Sequence, residues 1–169
     1  MSKEPKFKIV ESYGKIELRE YESFLVAEVE VAGERKEAIR AGFRLLAEFI
    51  FGDNTTKTQI AMKIPVTQQR NADLWKIRFM MPSEYSDQTI PRPINSRIKI
   101  FPVQASRFAS IRFSGIANDK KIDSYIDRLW QFCQSHQWKI SGSPILAFYN
   151  HPWTIPFFRR NEVMFEVGA

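Results

Sequence analysis

One pattern occurs twice in this chain, and it restricts the fold more than any other feature. Between Glu34 and Phe51, apolar residues at Ile39, Phe43, Leu46 and Ile50 are spaced four, three and four apart. A second row at Ala38, Gly42, Leu45 and Phe49 widens the stripe, so the spacing predicts a helix with a broad buried face. Gly52-Asp53-Asn54 ends it, because glycine accepts the left-handed backbone and the polar pair suits a turn. In the second half, Ile122, Ile126, Leu129 and Cys133 repeat the spacing between Asn118 and Gln137, with Asn118 or Asp119 placed to cap the first turn.

Strands are predicted around both helices. Glu28-Val29-Glu30-Val31 precedes the first and Ser110-Ile111-Arg112-Phe113 the second. After the first helix, Ile60, Met62, Ile64 and Val66 alternate with other residues, and Trp75, Ile77, Phe79 and Met81 do the same. After the second come Ile145 to Tyr149 and Asn161 to Val167. Period-two alternation of this kind makes a half-buried sheet. Each half thus reads strand, helix, strand, strand, with Pro65 and Pro152 closing the post-helical strands. A period of roughly 80 residues is too long for a solenoid. The expectation is an α+β chain, a single domain over residues 1–169. Its duplicated βαββ unit forms a distorted antiparallel β-barrel flanked by two helices. The pseudo-repeats cover about 7–81 and 97–167. The joining loop, 82–96, carries Pro82, Pro91 and Pro93 and is expected to be an ordered, extended crossing.

Composition narrows the function. The 169 residues are 44% hydrophobic, enough for a core without staples, and the lone Cys133 rules out an intrachain disulfide and a cysteine-based zinc cluster. Twenty-five Lys and Arg against nineteen Asp and Glu leave a charge of +6, which favours an acidic partner. The cations alternate with acids, as in Lys15-Glu17, Arg19-Glu20 and Glu34-Arg35-Lys36-Glu37, so no basic stripe for nucleic acid forms. The first ten residues lack a signal-type apolar core and no stretch approaches a membrane span, so a cytoplasmic location is expected.

Catalytic chemistry is sparse. The two histidines are His136, expected as a surface or capping residue at the end of the second helix, and His151, expected in a loop. No zinc-protease, nucleophile-elbow, phosphate-loop or dinucleotide motif is present. The densest polar motif is Arg159-Arg160-Asn161-Glu162, which suits either an anion or an internal Arg–Glu pairing.

Taken in order, several motifs resemble the SOUL haem-binding protein family. They are Glu17-Leu18-Arg19-Glu20-Tyr21; Gly42-Phe43 through Leu46, Phe49-Ile50, Gly52 and Asn54; and Ile60, Met62, Pro65-Val66. Met81-Pro82-Ser83-Glu84-Tyr85 leads on to Pro91-Arg92-Pro93, then Arg112-Phe113-Ser114-Gly115, and Tyr149-Asn150-His151-Pro152-Trp153 with Arg159-Arg160-Asn161-Glu162-Val163 closes the series. The resemblance implies the duplicated barrel architecture, shared with effector-binding domains of bacterial transcription regulators. It also implies non-covalent binding of haem or another tetrapyrrole, as a carrier or buffer and without catalysis. Carried onto this chain, the porphyrin-facing set is Phe43, Leu46, Ala47 and Ile50, lined by Met62, with Arg40 as the propionate partner. Glu48 stands where family members tend to carry a second cation, and Lys63 is the residue available to replace it. No histidine precedes residue 136, so His151, Met62 or Tyr149 are left as axial ligands, His151 foremost.

Two other classes stay open at this stage. One is a trans-acting regulatory module that binds another hydrophobic small molecule or a protein partner. The other is an enzyme using Glu162 as an acid.

Overall fold

Residues 4–150 and 159–168 are described by the computed structural model. Along the chain they form β1 (Phe7–Tyr13), β2 (Ile16–Tyr21), β3 (Phe24–Ala32), α1 (Arg35–Ile50), β4 (Val66–Asn71), β5 (Leu74–Met80), β6 (Lys99–Val103), β7 (Ser106–Phe113), α2 (Asp119–Ser135), β8 (Ile140–Phe148) and β9 (Asn161–Val167). The class is α+β. The elements fall into two units, the first gathering Ser23–Gln104 and the second Lys6–Glu22 with the later part of the chain.

In the first unit the antiparallel order is β4, β5, β3, β6. Helix α1 packs on β3 and β5 through Ala38, Gly42, Leu46, Phe49 and Ile50, as its periodicity predicts. Glycine in mid-helix costs about 1 kcal/mol relative to alanine, and here close approach explains it. A Cβ on Gly42 would lie 2.6 Å from Ile77 Cδ1 and 3.2 Å from Val29 Cγ2. The helix ends at Ile50, and Gly52, two residues further on, takes a φ of 127°. Asn54, fully buried, then secures the exit: its Nδ2 donates to Phe49 O at 3.0 Å and Thr58 O at 2.8 Å.

The strand expected over Ile60 to Val66 begins only at Val66. Proline has no N–H for a ladder and restricts the residue before it, and Ile64-Pro65 here is cis. Ile60 contributes to the core instead, and its N–H donates to Ile50 O at 2.7 Å. Pro65 therefore precedes a strand and does not close one, while Pro152 lies outside the described residues. The proline-rich loop is ordered: Thr55 N–H donates to Arg92 O at 2.9 Å, Asn54 bridges to Pro93, and Ile90 and Ile98 are buried.

The second unit has the antiparallel order β1, β2, β7, β9, β8. The hairpin β1–β2, grouped by the sequence with the first repeat, pairs with β7 instead. A register shift between Ile9 and Glu11 breaks the alternation of β1, which is why the hairpin is hard to read from sequence. Helix α2 packs on β7 and β9 through Ile122, Leu129 and Cys133. Asn118 caps it by accepting from Lys121 N–H at 2.8 Å. At the other end Gln137 takes a φ of 58°, Trp138 N–H reaches Cys133 O at 2.9 Å and Gln137 N–H reaches Gln134 O at 3.2 Å. This is a Schellman motif, which stops the helix two residues before the predicted end. Burial pushes the Cys133 thiol up to about 11, so it is a core residue and not a reactive one.

Each unit repeats one set of pairings: β3 lies between β5 and β6, and β7 between β9 and β2, with β4 beside β5 and β8 beside β9. Among the described residues no helix is long and apolar enough to cross a membrane.

Gly42→Ala gains helix propensity but forces Ile77 and Val29 apart. The overpacking cost of roughly 1–3 kcal/mol should prevail, lowering the urea midpoint. An unchanged or higher midpoint would show that Ile77 moves aside freely.

Candidate functional site

Two groups of side chains stand out, one buried in the second unit and one exposed on the first. The buried group draws on both ends of the chain. Arg19 on β2 is 3% exposed and Glu162 on β9 is 1% exposed. Arg19 Nη1 and Nη2 donate to Glu162 Oε1 and Oε2 at 2.8 and 2.6 Å, a bidentate pair. Tyr149 OH donates to Oε1 at 2.5 Å and Arg160 Nη2 to Oε2 at 3.2 Å. Arg19 also donates to Glu17 and Tyr21 and lies 4.6 Å over the Phe7 ring, while Arg160 stacks 3.9 Å over Tyr149.

The electrostatics follow from this packing. Burial alone would raise the Glu162 carboxyl, but the hydrogen bonds and charge of Arg19, with Tyr149 and Arg160, outweigh it and hold the carboxyl below its ordinary value. Burial pushes the Tyr149 hydroxyl well up, and the adjacent Glu162 charge adds to this. Glu162 is thus ionised, with four donors already on its two oxygens. It lacks the raised value a general acid needs, and the internal Arg–Glu pairing is what the structure contains. Tyr149, donating into that pair, is likewise committed.

The residues expected to face a porphyrin divide into two sets. Leu46 and Ile50 are 0% and 1% exposed and belong to the core of the first unit. They lie on the stripe that packs onto the sheet, so they are not ligand-facing. Met62 is half-buried and packs against the same core, and Lys63 is half-buried beside it. Phe43 is 41% exposed, its ring meeting Phe79 edge-on at 5.2 Å. Ala47 is half-buried and Arg40 exposed. His151 lies outside the described residues.

The exposed side of α1 carries more than the sequence reading singled out. Phe51, 66% exposed, follows Phe43 and Ala47 at i+4 spacing, giving an apolar row of Phe43, Ala47 and Phe51. That row runs about 12 Å along the helix. Beside it Lys36, Arg40 and Arg44, all exposed, make a cationic row at the same spacing. Among the described residues neither Arg40 nor Arg44 is paired with a carboxylate, although exposed Glu48 follows Arg44 by one turn. The signal was present as two i, i+4, i+8 series, but the buried stripe dominates the helix pattern.

These rows fit a planar apolar ring bearing anionic arms. They do not fit iron ligation, since α1 carries no histidine, cysteine, methionine or tyrosine. No group of three or more metal-ligating side chains occurs among the described residues.

The family model of the SOUL heme-binding protein matches residues 2–166. Comparison with curated proteins gave no match. The fold is similar to that of the EcmrR C-terminal domain, with a TM-score of 0.72 at 10% identity, covering 91% of this chain and 97% of that one. It is similar to a hydrolase from Listeria innocua, with a TM-score of 0.66 at 11% identity over 91% and 92% of the two chains. A third similar structure is SAV2435 bound to tetraphenylphosphonium, with a TM-score of 0.54 at 10% identity over 91% and 94%. At these identities the likeness concerns the fold alone.

The lowered Glu162 value makes its stabilisation present above the ordinary carboxylate value, about 4.3, and lost as pH falls through the folded-state value. Glu162→Gln leaves Arg19 buried beside a neutral amide and should cost about 3 kcal/mol at pH 7. Urea unfolding from pH 7 to 3 should show the gap from wild type narrowing below about pH 4. A gap constant across that range would refute the assignment.

Proposed function

Because the chain belongs to the SOUL heme-binding protein family, we propose that it binds haem or another tetrapyrrole non-covalently on the outer face of α1, as a cytoplasmic carrier or buffer. The observation that carries this reading is the pair of exposed rows, Phe43, Ala47 and Phe51 beside Lys36, Arg40 and Arg44. When bound, a haem supplies a flat apolar ring with two carboxylate arms. Phe43 and Phe51 cover the ring, and Ala47 between them lets it approach the helix. Arg40 and Arg44 lie about 6 Å apart along the axis and hold the propionates by charge-assisted hydrogen bonds. The site replaces Leu46 and Ile50 of the sequence reading with Phe51 and Arg44. Lys63 and Met62 keep only a peripheral part in it. With no ligating side chain on α1, the ring is held by burial and charge, which suits an exchangeable load. The reading involves no catalysis, nucleic acid or membrane span. The duplication of a βαββ unit belongs to it too, supported by the matching pairings of the two units.

A regulatory module for another hydrophobic small molecule is the second reading. The fold likeness to a protein bound to tetraphenylphosphonium favours it. A buried lipophilic cation needs an uncompensated acid, however, and Glu162 is already neutralised by Arg19.

Haemin titration should give a shifted, saturable Soret band. Arg40→Ala should weaken binding by about 1–3 kcal/mol, and Phe43→Ala by about 1–3 kcal/mol through lost apolar contact. A non-saturating absorbance rise, or full affinity in both variants, would remove the α1 site.

A further inference from the structure

Helix α1 covers the face of the first sheet that bears Val29 and Ile77, so Glu28 and Glu30 on β3 belong to the other face. In register, Arg78 and Lys76 on β5 stand beside these two acids on one side, and Lys99 on β6 stands beside Glu28 on the other. Opposite charges at such cross-strand positions can close into pairs. Of these residues only Glu28 and Arg78 do so, Arg78 Nε donating to Glu28 Oε2 at 2.7 Å. Glu30, Lys76, Lys99 and nearby Arg97 form no ion pair among the described residues. Instead, Glu28, Glu30, Arg97 and Lys99 line a cavity of about 300 Å³, a volume at the lower end of the range for small-molecule sites.

Two of the lining groups are held in place. Glu28 is 5% exposed, and Arg78, itself 5.3 Å over the Phe101 ring, fixes its carboxylate. Glu28 Oε1 has no donor among the described residues. A carboxylate oxygen so deep in the protein is costly unless something in the cavity donates to it. Arg97 is anchored by Nη2, which donates to Glu30 O at 3.2 Å, and the rest of its guanidinium has no protein acceptor among the described residues.

The charges decide the occupant. Arg78 neutralises Glu28, so the lining sets one acid, Glu30, against two bases, Arg97 and Lys99. That balance opposes a lipophilic cation. A plain dianion would in turn leave Glu30 and Glu28 Oε1 without a donor. We propose that this cavity binds a free acidic α-amino acid, whose ammonium group donates to Glu30 and Glu28 Oε1 while its two carboxylates meet Arg97 and Lys99. The site stands apart from the outer face of α1 and does not rest on tetrapyrrole binding.

Chemical-shift mapping with L-glutamate, glutarate and L-glutamine tests this in wild type, Glu30→Gln and Lys99→Ala. Glutarate lacks the ammonium group and L-glutamine the second carboxylate. Glu30 is half-buried and Lys99 exposed, so neither change opens the core. The expected result in wild type is saturable L-glutamate shifts at Glu28, Glu30, Arg97 and Lys99, with affinity about tenfold above that for either analogue. Glu30→Gln should abolish the preference over glutarate, and Lys99→Ala the preference over L-glutamine. Equal affinity of wild type for L-glutamate and glutarate overturns the proposal, as does the absence of saturable shifts at these four residues. Preferences left intact in both variants overturn the residue assignment.

Discussion

The second unit depends on one buried ion pair. Arg19 and Glu162 are 143 positions apart, yet their side chains meet through two parallel hydrogen bonds. Removing two charges from water costs several kcal/mol each, and the cost is recovered only where geometry is good and the remaining lone pairs are satisfied. Tyr149 and Arg160 supply those remaining donors, so the pair is complete. The consequence is specificity of pairing: β2, β9 and the end of β8 fit together in one register, because any slip would strand a buried charge. The motifs at the two ends of the chain thus meet in one structural device, and the carboxylate that looked available for acid chemistry is spent on it.

Helix α1 shows how one element serves two tasks. Its inner stripe is fully committed, down to a glycine that lets Ile77 and Val29 approach the backbone. Leu46 and Ile50 belong to that stripe, so removing them would damage the core before it affected any ligand. The outer rows contribute less: Phe43 meets Phe79 edge-on, but Phe51 is 66% exposed, and neither Arg40 nor Arg44 forms an ion pair among the described residues. Residues that do little for folding while exposing apolar area are the ones a binding reading has to explain.

Much of the fold was legible because the local signals agree. The span of α1, the start of α2 with its cap at Asn118, and strands β5 and β9 follow from period and capping chemistry, whereas α2 stops two residues short of its predicted end. The failures are local too. Ile60, Met62 and Ile64 alternate like a strand, yet Pro65 denies the segment its ladder and the residues pack individually. The bulge near Val10 hid β1, and with it the hairpin's allegiance to the second unit. At the site, the apolar count of α1 could not separate its inner stripe from its outer row. Arg40 and Phe43 are exposed and Ala47 half-buried, whereas Leu46 and Ile50 lie in the core. Which carboxylate Arg19 would meet is a long-range fact that no spacing encodes.

We propose a separation of roles, with the outer face of α1 as the tetrapyrrole-binding surface and the Arg19–Glu162 cluster as a structural device. Amide chemical-shift mapping with iron-free protoporphyrin IX tests it most directly. The account predicts shifts centred on Arg40, Phe43, Arg44, Ala47 and Phe51, with Arg19, Tyr149 and Glu162 unmoved. Shifts centred on Tyr149 and Glu162, with α1 silent, would contradict it.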